Sequence, residues 1–178
     1  MDALLIIDMQ VASFAAGDKH DVADTVDRIN QLAATVRRRA GCVIFIQHDG
    51  TAQEDLAPHT PGRALLPGLD RRPEDVIVRK TLNDAFVRTT LDRELTVASA
   101  RTIGVTGWAT DYCVDSTIRS AVSRGLAVIV PSDAHTVSDR PHLNAKQIIE
   151  HHNHIWARLI TTPAVLVMPT EALLSRGG

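Results

Sequence analysis

The segment Gly107-Trp108-Ala109-Thr110-Asp111-Tyr112-Cys113-Val114 carries one of the two cysteines of this 178-residue chain. It follows a β-branched segment, residues 102–105, that is typical of a buried strand, and it precedes apolar residues at helical spacing that end at Gly125. Cys113 is therefore expected in the first turn of a helix that leaves a strand. The unpaired N–H groups and positive dipole of such a turn stabilise a thiolate and can hold an oxyanion. A cysteine that only fills core space is the alternative.

Two further charged residues come where buried strands are predicted to end. Asp8 follows the apolar run of residues 3–7, and Lys80 comes just past a third strand at residues 76–78. A charge in such a place is costly without a partner, although Asp8 is alternatively explained as a turn cap. The carboxyl ends of parallel strands meet at the edge where ligands bind, so Asp8, Lys80 and Cys113 are expected to lie together.

These three side chains form a chemical set for nucleophilic catalysis. Cys113 is the candidate nucleophile, Asp8 can take its proton and return it to a leaving group, and Lys80 can lower the pKa of Cys113. The chain has no G-x-S-x-G sequence for a serine nucleophile. It also lacks G-x-G-x-x-G after the first strand and a phosphate-loop lysine, which disfavours nucleotide binding.

The elements that must position these residues alternate between strand and helix. Strands are predicted at residues 3–7, 42–46, 76–78, 102–106, 126–130 and 165–167, and helices at residues 21–40, 90–98, 142–159, from residue 111, and around residues 171–174. Such alternation predicts a parallel sheet with helices on both faces. The proline- and glycine-rich stretch from 47 to 75 is expected to be a long excursion that faces the substrate.

Composition limits the classes of function. The length fits one domain, residues 1–178. A net charge of −2 and an isoelectric point near 6.4 provide no electrostatic basis for binding nucleic acid or an anionic membrane. No apolar run approaches the ~20 residues that cross a bilayer. Two cysteines and a start without a basic leader lead us to expect a cytoplasmic location.

Asp8, Lys80 and the segment from Gly107 to Val114, in that order, resemble the isochorismatase-like cysteine hydrolase superfamily, which includes nicotinamidases and N-carbamoylsarcosine amidases. The resemblance extends from Leu4 to about Val167. It implies a three-layer α/β/α sandwich around a six-stranded parallel sheet, a catalytic triad formed by the three residues discussed above, and a homo-oligomer.

The same resemblance implies a cis peptide bond before Ala109 and an oxyanion hole formed by the N–H groups of Ala109 and Cys113. Nicotinamidases of the superfamily bind a metal through an Asp-x-His arrangement after the second strand. Here that region reads Gln47-His48-Asp49-Gly50, so neither a metal nor another cofactor is expected.

The sequence therefore predicts a hydrolase that cleaves a C–N bond of a small amide, carbamoyl or related substrate through a thioester on Cys113. A vinyl-ether hydrolase in which Cys113 is uninvolved, and a non-catalytic small-molecule or thiol redox protein, are the alternatives. Trp108 and Trp156 are expected to anchor a pocket or an interface. The residues predicted to line the substrate pocket are Gln10, Phe14, His48, Trp108, Tyr112 and His135.

Overall fold

A computed structural model of the chain describes residues 1–175. Strands and helices alternate along them. The strands are β1 (Ala3–Ile7), β2 (Cys42–His48), β3 (Val76–Lys80), β4 (Thr102–Trp108), β5 (Ala127–Pro131), β6 (His135–Thr136) and β7 (Leu166–Met168). The α-helices are α1 (Val11–Phe14), α2 (Val22–Arg38), α3 (Leu91–Val97), α4 (Asp115–Ser123), α5 (Ala145–Trp156) and α6 (Thr170–Ser175). A 3₁₀ turn spans Pro61–Arg63, and a π-helical turn spans Thr110–Val114.

The sheet is parallel throughout, in the order β3-β2-β1-β4-β5-β7. This confirms the predicted six-stranded parallel sheet, and the two-residue strand β6 adds a short pairing beside the end of β4. Strand β1 lies between β2 and β4 and is at most 1% exposed at every residue. A strand covered on both faces and both edges needs the continuous apolar sequence that residues 3–7 provide.

Alternate residues of β1 point to opposite faces of the sheet, and each face has its own core. Leu5 and Ile7 pack with apolar residues of α3, α4 and α5. Leu4 and Ile6 pack with α2, and with α6 at the margin of that cluster. The result is the predicted three-layer arrangement of helices, sheet and helices. No helix within residues 1–175 has the length and apolarity needed to span a bilayer.

Several boundaries differ from those predicted. Strands β2, β3 and β4 each continue two residues further, so Lys80 is the last residue of a strand. Cys113 lies in a π-helical turn ahead of α4, because the Val114 N–H bonds to the Ala109 carbonyl, five residues back, at 3.2 Å. The sequence predicts Trp156 as an anchor of a pocket or an interface, but the side chain is fully buried in the core.

Candidate active site

Asp8 leaves the end of β1 in a left-handed backbone conformation, with φ at +49°. Its N–H donates to the Ile46 carbonyl at 2.9 Å, and its carbonyl accepts from the Gln10 N–H at 2.8 Å. A non-glycine residue in this region costs about 1–2 kcal/mol, although aspartate tolerates it better than most. Such outliers concentrate at functional sites. The turn leaves the Asp8 side chain buried at the carboxyl edge of the sheet.

Lys80 joins Asp8 and Cys113. Its ammonium lies 2.6 Å from Asp8 Oδ2, 3.3 Å from Cys113 Sγ and 3.1 Å from the Leu82 carbonyl. These three contacts use all three N–H donors of the ammonium. The side chains of Lys80 and Asp8 are 0% and 5% exposed. Among residues 1–175, Asp8 Oδ1 is buried and has no hydrogen-bond partner. The carboxylate therefore keeps one oxygen open to accept a proton.

Burial first and the neighbouring Asp8 carboxylate second raise the pKa of the Cys113 thiol, Lys80 lowers it in part, and the net result is a pKa of about 12. The sequence predicted the opposite, a thiolate stabilised by the first turn of a helix. The structure differs because the cysteine is half-buried in a π turn beside a carboxylate, where a second negative charge is unfavourable. Cys113 at rest is thus a thiol, and it needs a base at the moment of attack.

The turn that carries Cys113 follows the end of β4, where Gly107 pairs with Ile7 of the neighbouring strand β1. Gly107 has φ at +113°, and a Cβ atom there would lie 2.2 Å from the Ile7 carbonyl oxygen. Only glycine fits this position. The Trp108–Ala109 peptide bond is cis, as the resemblance implies. Ala109 and Cys113 lie together on the wall of one cleft, and their role as an oxyanion hole stays a prediction.

A cleft of about 250 Å³ opens above these residues. Of the predicted pocket residues, the structure brings His48, Trp108 and Tyr112 to its wall. Sequence reasoning did not place four other residues there, namely Ser13, Leu56, Asn83 and Arg140. Asn83 Oδ1 lies 3.7 Å from Cys113 Sγ. The cleft combines aromatic walls with a few polar groups, which suits a small polar organic molecule.

Three predicted pocket residues lie outside the cleft lining. Gln10 is fully buried, and its amide exchanges hydrogen bonds of 2.7 and 3.0 Å with the backbone of His48. Phe14 packs on Trp108, with ring centroids 5.3 Å apart. His135 is 1% exposed and contacts Thr110 from behind the cysteine turn. Each of these side chains contacts a residue near the cleft: Gln10 bonds to His48, Phe14 packs on Trp108, and His135 bonds to Thr110.

Arg140 lines the cleft and contacts two residues of the turn that carries Cys113. Its guanidinium makes paired hydrogen bonds of 2.8 and 2.9 Å to the carboxylate of Asp111, and it lies 4.9 Å from the Tyr112 ring centroid. This hydrogen-bonded carboxylate raises the pKa of Arg140. Asp111 was interpreted as a helix-start residue, but it forms no cap and pairs with Arg140 across 29 positions of sequence. No local pattern marks such a partner.

The region that binds metal in nicotinamidases has another arrangement here. Asp49 forms an ion pair of 2.6 Å with Arg63, and burial, followed by the charge of Lys80, lowers the pKa of His48. Within residues 1–175 no group of three or more histidine, cysteine or acidic side chains is clustered as metal ligands are.

The parallel sheet carries a buried Asp–Lys pair beside a cleft-lining cysteine at its carboxyl edge, and comparison with known proteins identifies the family to which this α/β arrangement belongs. Residues 2–164 match the family described as Isochorismatase domain, and the chain belongs to this family. It is 36% identical over 143 residues to streptothricin hydrolase of Streptomyces noursei, a match that covers 79% of this chain and 51% of the relative. The chain thus spans about half the length of the streptothricin hydrolases that it matches.

For two further relatives, the match covers a larger share of the relative's length. A ureidoacrylate amidohydrolase of Methylorubrum extorquens is 36% identical over 168 residues, which cover 74% of this chain and 68% of the relative. The crystal structure of a cysteine hydrolase from Pseudomonas syringae pv. phaseolicola superposes with a TM-score of 0.86 at 26% identity, over 98% of this chain and 91% of that one.

Proposed function

We propose that the protein is a cysteine hydrolase that cleaves the C–N bond of a small amide, carbamoyl or related compound through a thioester on Cys113. The observation that carries this proposal is the Lys80 ammonium in contact with both Asp8 and Cys113, with one oxygen of Asp8 left open. Similarity to a relative named as an amidohydrolase supports the same class of reaction.

In the first step Cys113 Sγ attacks the substrate carbonyl carbon while its proton passes to Asp8. The electron pair of the C=O bond moves to the oxygen, which the N–H groups of Ala109 and Cys113 would hold. Because burial raises the pKa of the thiol, sulfur becomes a strong nucleophile only as the proton leaves. Lys80 stabilises the negative charge that develops on sulfur at 3.3 Å.

In the second step the C–N bond breaks and Asp8 gives its proton to the leaving nitrogen, which departs as an amine or ammonia. A water molecule then gives a proton to Asp8 and adds to the thioester carbon. The carbon–sulfur bond breaks, the proton returns from Asp8 to Cys113, and a carboxylic or carbamic acid is released. One carboxylate thus serves both halves of the cycle.

The contacts of Asp111 remove one candidate general acid for the vinyl-ether reaction. Cleavage of a vinyl ether depends on a general acid, and both oxygens of Asp111 accept hydrogen bonds from Arg140. Asp8 is then the acid available at this cleft, and it lies beside a nucleophile suited to carbonyl carbon. A buried oxygen without a hydrogen-bond partner within residues 1–175, such as Asp8 Oδ1, lowers stability. A purely binding protein would gain nothing from this cost, whereas a proton acceptor needs the open oxygen.

A screen of small amides, ureas and carbamoyl compounds with ammonia detection tests the proposal. Mass spectrometry of enzyme quenched during turnover should show an acyl adduct on Cys113, and Cys113→Ala should have no activity. Cys42→Ala is the matched control, since Cys42 is a half-buried thiol that packs against the core at the other end of the sheet. Efficient turnover by Cys113→Ala, or cleavage of isochorismate without any adduct, would overturn the proposal.

A further inference from the structure

His135 lies behind the cysteine turn, where it cannot reach a substrate in the cleft. It belongs to β6, which pairs with the last two residues of β4, and its side chain is fully enclosed. Its Nδ1 is 2.9 Å from the hydroxyl of Thr110, the first residue of the π turn. On its other side, Nε2 is 3.1 Å from Asn153 Oδ1 on α5. The imidazole thus bridges a helix and the turn that presents Cys113.

The neighbours of His135 define which nitrogen carries the proton. Asn153 Nδ2 donates to the Ser132 carbonyl at 2.9 Å, so the oxygen of the Asn153 amide must face His135 as an acceptor. Nε2 of His135 then carries the hydrogen, and Nδ1 is left to accept from Thr110. The Thr110 hydroxyl also lies 3.1 Å from the Thr136 carbonyl oxygen, but its single hydrogen must turn towards Nδ1 at 2.9 Å, because two bare acceptors at that distance would repel each other. Burial lowers the pKa of His135 to about 4, which keeps the ring neutral in this form.

Helix α5 also holds the far end of the turn. Trp156 Nε1 donates to Asp115 Oδ1 at 2.8 Å, at the first residue after the π turn. The rings of Trp156 and His135 pack edge to face, with centroids 5.1 Å apart. One helix therefore fastens the turn at Thr110, through His135, and at Asp115.

We propose that His135 is a positioning residue: as the Nε2–H tautomer it couples α5 to the Thr110 hydroxyl and so holds Cys113 and the Ala109 N–H in the geometry needed for attack. This deepens the proposed function and rests on it for the turnover measurements only. The tautomer and the state of the thiol are measurable without any substrate.

Two pairs of variants separate the Thr110 contact from general packing. His135→Asn keeps an acceptor near the Nδ1 position, whereas His135→Gln keeps a donor near the Nε2 position. Thr110→Ser keeps the hydroxyl, whereas Thr110→Val removes it at the same volume. We expect kcat to fall about 10- to 100-fold in His135→Gln and Thr110→Val with KM little changed, since small displacements of a reacting group have effects of this size. His135→Asn and Thr110→Ser should stay within about threefold of the native kcat.

The double variant Thr110→Val/His135→Gln should lose no more activity than Thr110→Val alone, because that change already removes the bond to His135 together with the contact to the Thr136 carbonyl. Native kcat in both disruptive variants, or equal losses in His135→Asn and His135→Gln, would overturn the proposal.

Two measurements keep this proposal separate from the proposed function. Proton–nitrogen correlation spectra of native protein labelled with ¹⁵N-histidine should show one histidine, absent in His135→Asn, as the Nε2–H tautomer between pH 6 and 8. In a Cys42→Ala background, the rate of Cys113 alkylation by chloroacetamide should change in Thr110→Val and stay native in Thr110→Ser. A charged or Nδ1–H ring, or a rate unchanged in Thr110→Val, would contradict the positioning role even if no amide substrate were found.

Discussion

Two ion pairs within residues 1–175 have side chains that are less than a tenth exposed, and they differ in how their carboxylates are satisfied. Arg37 and Asp75 approach to 2.5 Å with side chains 8% and 2% exposed, much as Lys80 and Asp8 do. Asp75 accepts from Arg37 on both oxygens and from the Arg72 N–H at 2.7 Å. In contrast, Oδ1 of Asp8 accepts nothing from residues 1–175. The two pairs have similar lengths and burial, but both oxygens of Asp75 accept hydrogen bonds whereas, within residues 1–175, one oxygen of Asp8 does not.

Under the proposed function, this difference separates a structural pair from a reactive one. A buried pair contributes to stability only when its remaining lone pairs and protons are matched, and an unmatched buried polar group costs about 1–3 kcal/mol. The Arg37–Asp75 pair meets that condition and joins α2 to the end of the 47–75 excursion. The Lys80–Asp8 pair does not, which is the arrangement expected of a group that must accept a proton during a reaction.

The comparison is tested most strongly by neutralising each carboxylate in turn. Asp8→Asn should lower kcat roughly 10³- to 10⁴-fold, because general acid–base steps contribute up to this much. Asp75→Asn should leave kcat near the native value. Both are measured on a substrate identified by ammonia release. A fully active Asp8→Asn enzyme would remove the distinction between the two pairs.

Stability should show the reverse order. Asp75→Asn leaves Arg37 with its two hydrogen bonds to Asp70 but weakens the pair with residue 75, so we expect a loss of about 1–3 kcal/mol in the free energy of unfolding. The double change Asp8→Leu/Lys80→Met should be neutral or stabilising by about 1–4 kcal/mol, since it removes a pair with an unmatched oxygen. Urea unfolding of the variants measures both values. Strong destabilisation by the Asp8/Lys80 double variant would show that this pair is structural too.

A third kind of buried polar group, kept neutral, extends the comparison. The pKa of His135 is lowered to about 4, below its ordinary value of 6.5, so the unfolded chain binds more protons between these values. The stability linked to this residue is therefore complete above pH 6.5 and is lost as the pH falls towards 4, by up to about 3 kcal/mol. His152 and Asp133 face the same ring, and their charges act in opposite directions.

His135→Asn should flatten this part of the acid unfolding curve. His48, whose pKa is also lowered, contributes in the same direction in both proteins, so the difference between them isolates His135. Identical pH dependence of native protein and His135→Asn would contradict the assignment of a buried neutral ring.

The smallest expected effect is on the reactivity of Cys113 in a Cys42→Ala background. Asp8→Asn removes the charge that helps to raise the pKa of the thiol, so alkylation at pH 8 should be about tenfold faster or more. Asp75→Asn should leave the rate unchanged. The native thiol should react slowly at neutral pH and keep accelerating above pH 10. A rate plateau below pH 8 would restore the thiolate that the sequence alone predicts.

The sheet and its polar edge could be predicted because they depend on local patterns. Continuous apolar runs mark β1 and β2, and Asp8 and Lys80 are charges that end such runs. The contents of the cleft depend instead on distant partners. Gln10 bonds to the backbone of His48 and Arg63, which lie 38 and 53 residues away, and no periodicity reports such a match.

The state of Cys113 was beyond the sequence for the same reason. Its pKa is raised by burial under the folded chain and by Asp8, which is 105 positions away. The π turn depends on hydrogen bonds that reach five residues back, from the Val114 N–H to the Ala109 carbonyl and from the Asp115 N–H to the Thr110 carbonyl, where an α-helical pattern predicts bonds one residue shorter. The local sequence is equally compatible with a π turn and with an α-helical turn at these residues.

The central place of β1 has a consequence during synthesis of the chain. Its first neighbour, β2, is complete at His48, but its second neighbour, β4, is complete only at Trp108. At about 5–20 residues per second, translation leaves one edge of this wholly apolar strand without its partner for roughly 3–12 s. An unpaired apolar edge is a template for association with other chains. Slower decoding between these two strands would lengthen that exposure and should lower the yield of native protein.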